Sequence, residues 1–344
     1  PTHSLSKLPA ALIQDGFPSI IQDSFEQALV FRRKFVGRFA FQSFRERCVC
    51  VQVVADVCAA ALDELPGQAL ALPLILGAGK IFWQVGKILI ERIARIPVEV
   101  NIASEFRYSD PILEENTVVL SISQSGETAD TLAAMEESRN KGALCWSIVN
   151  VIGSQAMRLA DGTISMQCGP EIGVASTKAY TAPLVDLYML AIYLADLRGT
   201  LTDVEQKILV DDLRLIPDLA GQSLRREPEV EKISRLLLNT QHCLYLGRGI
   251  NMPTAYEGAL KLKEISYIHA EGYPAGEMKH GPIALIDRSM PVIVIAPQDP
   301  WYEKMLSQIE QAKARGGLVI AIATDGDELV SSIADHVIWV PKTP

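Results

Sequence analysis

The chain has 344 residues, 49% of them hydrophobic, which exceeds the usual size of one domain and favours two α/β domains. Its formal net charge of -9 has no basic block to offset it, so we expect no nucleic-acid partner. The six cysteines do not form the framework of a small disulfide-rich domain, so we expect reduced thiols. Cys48 and Cys50 have no second close pair, so we expect no metal site.

Residues 1–68 form an N-terminal segment to which the sequence assigns no function. The basic, aromatic stretch 31–47 could bind polyanions, but in an acidic chain we interpret it as a packed helix or a subunit contact. The N-terminus shows no signal-peptide pattern. The most apolar segment, 184–197, carries Asp186 and Asp196 and is expected to be too short to span a bilayer. We therefore predict a soluble, cytoplasmic protein with no membrane partner.

From residue 71 onward, short apolar segments alternate with segments of helical composition. In a first domain, 69–200, we expect strands at 72–77, 98–102, 117–122, 144–149 and 164–166, and helices at 80–96, 128–141 and 178–198. A connecting helix, 201–228, is interrupted at Pro217. In a second domain, 229–344, we expect strands at 242–247, 291–296, 318–323 and 337–340, and helices at 254–268 and 301–315. This alternation predicts two doubly wound α/β domains, each a parallel sheet with helices on both faces.

The turn after the strand at 117–122 carries an unusual density of hydroxyl groups. Ser123, Ser125 and Thr128 bring three hydroxyls to the point where a strand leads into a helix, with Gln124 and Gly126 between them. A helix N-terminus offers unpaired N–H groups and the positive end of the dipole, so the pattern predicts a phosphate site. The alternative is a plain helix cap by Ser125 or Thr128, but one hydroxyl would be enough for that.

A stretch of small residues, 171–178, precedes the long helix that runs to about Arg198. We interpret it as a second wall of the same site, with Ser176 as a candidate contact. A plain N-cap by Ser176 explains the spacing equally well.

The helix expected at 254–268 carries a second group of reactive side chains. Glu257, Lys261 and Glu264 are spaced i, i+4 and i+7, so they share one helix face. Ion pairs on a solvated face are the alternative explanation, but the apolar residues around this stripe and the glycines around His280 favour a lined pocket.

These groups suit the interconversion of an aldose and a ketose. A histidine can open a sugar ring near neutral pH, a carboxylate can move a proton between adjacent carbons, and an ammonium can stabilise the oxygen that gains negative charge. His280, Glu264 and Lys261 would take these three roles.

Several stretches resemble one known family. The run Ser-Gln-Ser-Gly-Glu-Thr-Ala-Asp-Thr-Leu at 123–132 resembles the phosphate loop of sugar isomerase (SIS) domains, which bind phosphosugars. The stretches 103–108, 171–178, 261–271 and 276–282 resemble the isomerase half of the glucosamine-6-phosphate synthases, also called glutamine–fructose-6-phosphate aminotransferases. The resemblance covers roughly 87–339, and we recognise none before about residue 85.

The resemblance implies two sugar isomerase domains, fructose-6-phosphate as substrate and glucosamine-6-phosphate as product, with no cofactor. It implies these roles for residues of this chain: phosphate binding by Ser123, Gln124, Ser125 and Thr128, a sugar contact by Val174, proton transfer by Glu264 with Lys261 as its partner and Glu257 on the same face, and ring opening by His280. In that family the histidine comes from the neighbouring subunit, so a homodimer is implied.

The chain also departs from the family pattern. It has no amidotransferase domain, so ammonia would come from a glutaminase domain absent from it. It stops before the C-terminal tail whose lysine forms a Schiff base with the sugar. Residues 77–80, Gly-Ala-Gly-Lys, stand in place of the family's Gly-Thr-Ser turn.

Two other functions compete with this one. A nucleotide-binding oxidoreductase is disfavoured because Phe82 and Met252 stand where the dinucleotide fingerprint needs its third glycine. A non-catalytic sensor of phosphosugars is the stronger alternative, and the presence of Glu264 and His280 argues against it.

Overall fold

The structure, a computed structural model, describes residues 71–77, 81–114, 117–173 and 175–344. The stretch 31–47, Cys48, Cys50, Gly79–Lys80 and Val174 lie outside the described residues, so the predictions made for them stay predictions. Cys145 and Cys243 are buried free thiols, and burial raises the pKa of each to about 12. Both thiols are therefore protonated and inert at neutral pH.

Ten parallel strands form two sheets of five strands each in the described part of the chain. The first sheet consists of β1 Ala71–Gly77, β2 Glu99–Ile102, β3 Thr117–Ser123, β4 Leu144–Val149 and β5 Gly162–Ser165. The second consists of β6 His242–Gly247, β7 His269–Pro274, β8 Val292–Ala296, β9 Val319–Thr324 and β10 His336–Val340.

Both sheets have the same winding. Their strand orders are β2-β1-β3-β4-β5 and β10-β9-β8-β6-β7. In each sheet, the strand that comes second in sequence pairs on one side of the first strand, and the strand that comes third pairs on the other side. The strand order therefore reverses beside β1 and β3 in one sheet and beside β6 and β8 in the other. Ligands of open α/β sheets bind beyond the carboxyl ends of the strands at such a reversal.

Eleven α-helices connect the strands over the described residues. They are α1 Phe82–Leu89, α2 Ala103–Phe106, α3 Ala129–Asn140, α4 Gln155–Leu159, α5 Lys178–Arg198, α6 Asp203–Leu213, α7 Ile216–Leu224, α8 Glu227–Ser234, α9 Asn251–Ser266, α10 Tyr302–Ala314 and α11 Glu328–Ile333. A π-helical turn, Ile90–Ala94, follows α1, and short 3-10 turns include Ala275–His280 and Pro282–Leu285.

The chain divides into two compact units. Of the described residues, the first comprises 71–77 and those between Ile96 and Pro170, and the second comprises 81–95 and those from Glu171 to Pro344. Helices α1 and α5 thus group with the second sheet, whereas the predicted domains divide the chain at 201–228. That predicted division stays a prediction.

Buried apolar residues fix the helices on the sheets. In the first unit, Phe106 of α2 and Met135 of α3 pack with Val119 of β3 in one core. In the second unit, alternate residues of the strands contribute side chains to two hydrophobic cores, one on each face of the sheet. The core beneath α9 contains Cys243, Ala259, Ile268, Ala270, Ile293 and Ile320, and the core beneath α10 includes Leu244, Leu246, Val292, Val294, Met305 and Ile309.

Several predicted elements differ in the structure. The connecting segment is helical and is interrupted next to Pro217, as predicted, but a second break after Leu224 was not predicted, so the segment forms α6, α7 and α8. The strand β7 was not predicted, because its sequence HAEGYP lacks an apolar run and it pairs only with β6, at the edge of the sheet.

The prediction for the most apolar segment is also wrong. Helix α5 has 21 residues and, among the described residues, is the one helix long and apolar enough to cross a membrane. Half of its most apolar window is buried inside the unit, where it packs against α1. A buried core helix passes the same test, so the length of α5 is weak support for a membrane span.

Candidate functional site

The hydroxyl-rich turn lies where the first sheet reverses its strand order. Strand β3 ends at Ser123 and α3 begins at Ala129, so the turn occupies the carboxyl edge of the sheet beside β1. Ser123 Oγ accepts a hydrogen bond from Gly126 N at 3.0 Å, and Ser125 Oγ accepts one from Glu127 N at 3.2 Å. Each hydroxyl accepts a bond here and still has its own proton to donate.

The plain-cap explanation of this turn is wrong. Thr128 occupies the N-cap position of α3, but its side chain makes no capping hydrogen bond among the described residues. Its Oγ1 lies instead 3.4 Å from Ser123 Oγ. The Ser123 and Thr128 hydroxyls thus lie side by side, and Gln124 and Ser125 are half-buried next to them. The turn brings together the four side chains that the sequence assigns to phosphate binding.

A second loop, residues 150–156, holds this turn in place through three hydrogen bonds. Asn150 N donates to Gln124 O at 3.2 Å, Ala156 N donates to Gly126 O at 2.9 Å, and Gln155 N donates to Glu127 Oε1 at 2.7 Å. These three bonds fix the backbone on which the hydroxyls sit. This role of Glu127 was not predicted, because its partner comes 28 residues later in the chain.

The close approach of the two loops depends on Gly126. Its φ is 65°, and a Cβ added there would lie 2.2 Å from Ser154 Oγ. Ser154 is 2% exposed, and its Oγ has no hydrogen-bond partner among the described residues. The glycine is therefore needed both for the left-handed backbone and for the space.

The stretch before α5 is held by a residue to which the sequence gave no role. Glu171 Oε2 accepts hydrogen bonds from Ala179 N at 3.0 Å and from Thr177 N at 3.2 Å. The bond from Ala179, followed by that from Thr177, holds the pKa of Glu171 below its usual value although partial burial opposes this. The N-cap of α5 is Thr177, so the alternative of a cap by Ser176 is wrong.

Helix α9 brings Glu257, Lys261 and Glu264 together on one face, as predicted. Lys261 Nζ lies 2.7 Å from Glu264 Oε2 and 3.4 Å from Glu257 Oε1. Burial raises the pKa of Glu257, and Lys261 partly offsets this. Burial alone would lower the pKa of Lys261, but its bonds to Glu264 and Glu257 raise it overall. The ammonium therefore stays charged between two carboxylates.

Glu264 is the accessible member of this group. The side chain of Glu264 is 35% exposed, against 10% for that of Glu257. Ile265 and Tyr267 beside it are 67% and 92% exposed, so the end of α9 presents an open surface of its unit. Lys261 therefore pairs with two carboxylates in different environments, one buried (Glu257) and one accessible to solvent (Glu264).

His280 does not join this group within its own unit. Helix α9 runs back along the sheet and ends at Ser266, near the amino end of β7, whereas His280 follows the carboxyl end of β7 in an exposed turn. Six strand residues separate the two ends, which is about 17 Å. The structure therefore brings Lys261 and Glu264 together and places the histidine at the other end of the strand.

Comparisons with known proteins identify the family of the chain. Residues 76–193 and 236–344 match the SIS domain. The chain is 51% identical over 257 residues to glutamine–fructose-6-phosphate aminotransferase (isomerizing) of Thermus thermophilus, covering 75% of this chain and 42% of that protein. It is 52% identical over 323 residues to the enzyme of the same name from Chlorobaculum tepidum, covering 94% of this chain and 51% of that protein. The prediction that the resemblance begins only at about residue 85 is therefore wrong, because this alignment must start much earlier in the chain.

A solved structure gives the same result. The C-terminal domain of glucosamine-fructose-6-phosphate aminotransferase from Francisella tularensis superimposes with a TM-score of 0.77 and 33% identity, covering 96% of this chain and 91% of that one. The chain spans about half the length of the curated relatives it matches. Since the SIS domain model matches more than half of the chain, the chain belongs to the SIS domain family.

Proposed function

We propose that this chain is the isomerase part of a glutamine–fructose-6-phosphate aminotransferase and that it acts in the cytoplasm. It would bind fructose-6-phosphate and carry out the isomerisation that accompanies amination to glucosamine-6-phosphate in amino sugar biosynthesis. About 50% identity to relatives of that name supports the proposal. The single structural observation behind it is the Glu264–Lys261–Glu257 face on α9, because a phosphosugar sensor has no need of a paired general base.

The phosphate would bind at the turn after β3. The hydroxyl protons of Ser123 and Ser125 are available because both oxygens accept bonds from the turn backbone. Thr128 and Gln124 would supply further donors, and the N-terminus of α3 would add its positive dipole end. Val174 and Ser176 are proposed to contact the sugar.

The proton transfer would use the face of α9. Glu264 would move a proton between the first two carbons of the open sugar, with Lys261 stabilising the oxygen that becomes negative. The bond of 2.7 Å between them holds the Glu264 carboxylate in one orientation. The buried Glu257 would keep Lys261 charged from the other side.

Ring opening is assigned to His280 of a second subunit. The strand β7, about 17 Å long, lies between the end of α9 and the turn that carries His280, and this separation favours a histidine supplied by a second subunit. A homodimer would pair the helix of one chain with the histidine of its partner. Ammonia would come from a glutaminase domain outside residues 1–344.

The test follows formation of glucose-6-phosphate from fructose-6-phosphate, with and without ammonium. Glu264→Gln should lower kcat by about 100- to 10,000-fold while binding of fructose-6-phosphate persists. Glu310→Gln, on the exposed face of α10, is the matched control and should keep full activity. Binding without turnover by the unaltered chain would favour the sensor function and refute the proposal.

Mixing variants tests the shared site. Glu264→Gln and His280→Asn are each expected to be inactive alone. After dissociation and random reassociation, half the dimers are mixed, and each mixed dimer has one intact site, so about a quarter of the original activity should return. No recovery in dimers shown to be mixed would place both residues in one subunit's site and contradict the assignment of His280.

A further inference from the structure

Two histidines face each other at the amino edge of the second sheet. His242 begins β6 and His269 begins β7, and the two residues are direct partners in the strand register. Their Nδ1 atoms lie 3.4 Å apart, and the rings stand nearly perpendicular at 82°. Both side chains are exposed, and β7 is the edge strand, so solvent reaches the pair.

The spacing of the two nitrogens is that of neighbouring ligands on one metal ion. In a tetrahedral zinc site with Zn–N bonds of 2.0–2.1 Å, two ligand nitrogens lie about 3.4 Å apart. Imidazole is a preferred ligand of Zn²⁺, Cu²⁺ and Ni²⁺. Parallel pairing holds the two Cα atoms in register, so only rotation of two exposed rings is needed to aim both lone pairs at one ion.

A carboxylate lies behind one of the histidines. Glu271 Oε1 is 3.6 Å from His269 Nε2, on the side of the ring away from His242. Glu271 is held in turn by Tyr273, whose hydroxyl donates to Oε2 at 2.7 Å. At 3.6 Å the contact is just beyond hydrogen-bond distance, and a small rotation of the exposed ring would bring Nε2 within range. A metal-bound histidine commonly donates its other N–H to such a carboxylate, which fixes the tautomer with Nδ1 on the metal.

We propose that His242 and His269 form a binding site for a divalent transition cation of the Zn²⁺ class, with Glu271 orienting His269. Among the described residues no group of three His, Cys, Asp or Glu side chains could hold a metal, so water would complete the coordination. The expectation of no metal site rested on cysteine spacing alone. The strand register creates this pair from residues 27 positions apart.

The site has a structural consequence. It joins the first residue of β6 to the first residue of β7, and the turn between α9 and β7 lies between them in the chain. A cation bound there would restrict the movement of the turn that joins α9 to β7. This inference is independent of the proposed isomerase function, because it concerns the opposite end of β7 from His280.

The experiment titrates the full chain with ZnCl2 by calorimetry and follows thermal unfolding in parallel. We expect one Zn²⁺ per chain and a higher melting temperature with the metal. His242→Asn or His269→Asn should weaken binding by about tenfold or more, and Glu271→Gln should weaken it by about tenfold. His336→Asn removes a histidine from the equivalent first position of β10 and should leave the affinity unchanged.

Nitrogen NMR of the imidazoles supplies a second readout. Zn²⁺ should shift the Nδ1 signals of His242 and His269 and leave those of His336 unchanged. Equal Zn²⁺ affinity in the unaltered chain and in the His242→Asn/His269→Asn double variant, with all proteins folded by circular dichroism, would overturn the proposal.

Discussion

Replacing Gly126 by alanine should damage the phosphate turn in two separable ways. The φ of 65° is a left-handed conformation, which costs a residue with a Cβ about 1–2 kcal/mol. The new Cβ would also lie 2.2 Å from Ser154 Oγ and 2.6 Å from Ser154 Cβ. Ser154 is buried beneath the turn and cannot swing into solvent, so overpacking should add about 1–3 kcal/mol.

Gly142→Ala separates the two costs. Gly142 lies in the same unit with φ 86°, and a Cβ added there would meet no described atom within 4 Å. It therefore carries the backbone cost without the collision. We expect Gly126→Ala to lower the melting temperature further than Gly142→Ala, by about 2–4 °C for each kcal/mol of overpacking. The double variant Gly126→Ala/Ser154→Gly should recover the difference.

Ligand binding gives the sharper assay. Displacing the turn would break the bonds that Gly126 N and Glu127 N donate to the serine hydroxyls. We expect the affinity for fructose-6-phosphate, measured by calorimetry, to fall by about 5- to 150-fold in Gly126→Ala, since two such bonds contribute about 1–3 kcal/mol, and to stay unchanged in Gly142→Ala. Equal melting temperatures and equal affinities in the two variants would refute the reasoning.

Three further results are expected. The pKa of Glu171 is lowered in the folded state, so its contribution to stability is present above about pH 4.3 and is lost as the pH falls through the folded pKa. Between pH 6 and pH 3, the melting temperature of the unaltered chain should therefore fall more steeply than that of Glu171→Gln. Burial raises the pKa of Asp186 from 3.8 to about 7, so the folded state holds a proton that the unfolded chain releases, and the free energy of unfolding should decline by about 3 kcal/mol as the pH rises from 4 to 7. Asp186→Asn should show no such decline in urea unfolding at a series of pH values, and an unchanged slope would contradict a buried neutral carboxyl. Calorimetry should find one fructose-6-phosphate per chain, because within the described part of the chain only the first unit carries the hydroxyl-rich turn; two would contradict this.

The strands that could be predicted are those that bury apolar side chains. The expected ranges for β4 and β6 match the structure at both ends, because each is an apolar run bounded by polar or glycine residues. The strand β7 could not be predicted in this way. Its extended conformation comes from pairing with β6, and its Gly272 lies against Tyr256, where a Cβ would be 2.5 Å from the ring.

The site shows the same limit. The hydroxyl turn and the face of α9 are local patterns, so spacing along the chain is enough to predict them. The brace from Ser154 and Gln155 is invisible locally, because it joins loops after different strands. The distance between Glu264 and His280 is likewise set by the direction of β7, a strand that its own sequence does not predict.

The two units share one strand order, but the loops at their strand-order reversals carry different side chains. In the first unit the loop after β3 presents hydroxyls at the strand-order reversal. In the second, the corresponding loop after β8 carries Asp299, whose Oδ1 accepts from Trp301 N at 2.8 Å and whose Oδ2 accepts from Asn251 Nδ2 at 2.7 Å. That carboxylate already takes the donors that an anion would need, and its charge repels a phosphate. A phosphate is therefore disfavoured at this loop, and in the proposed function the second unit contributes through the charged face of α9 instead.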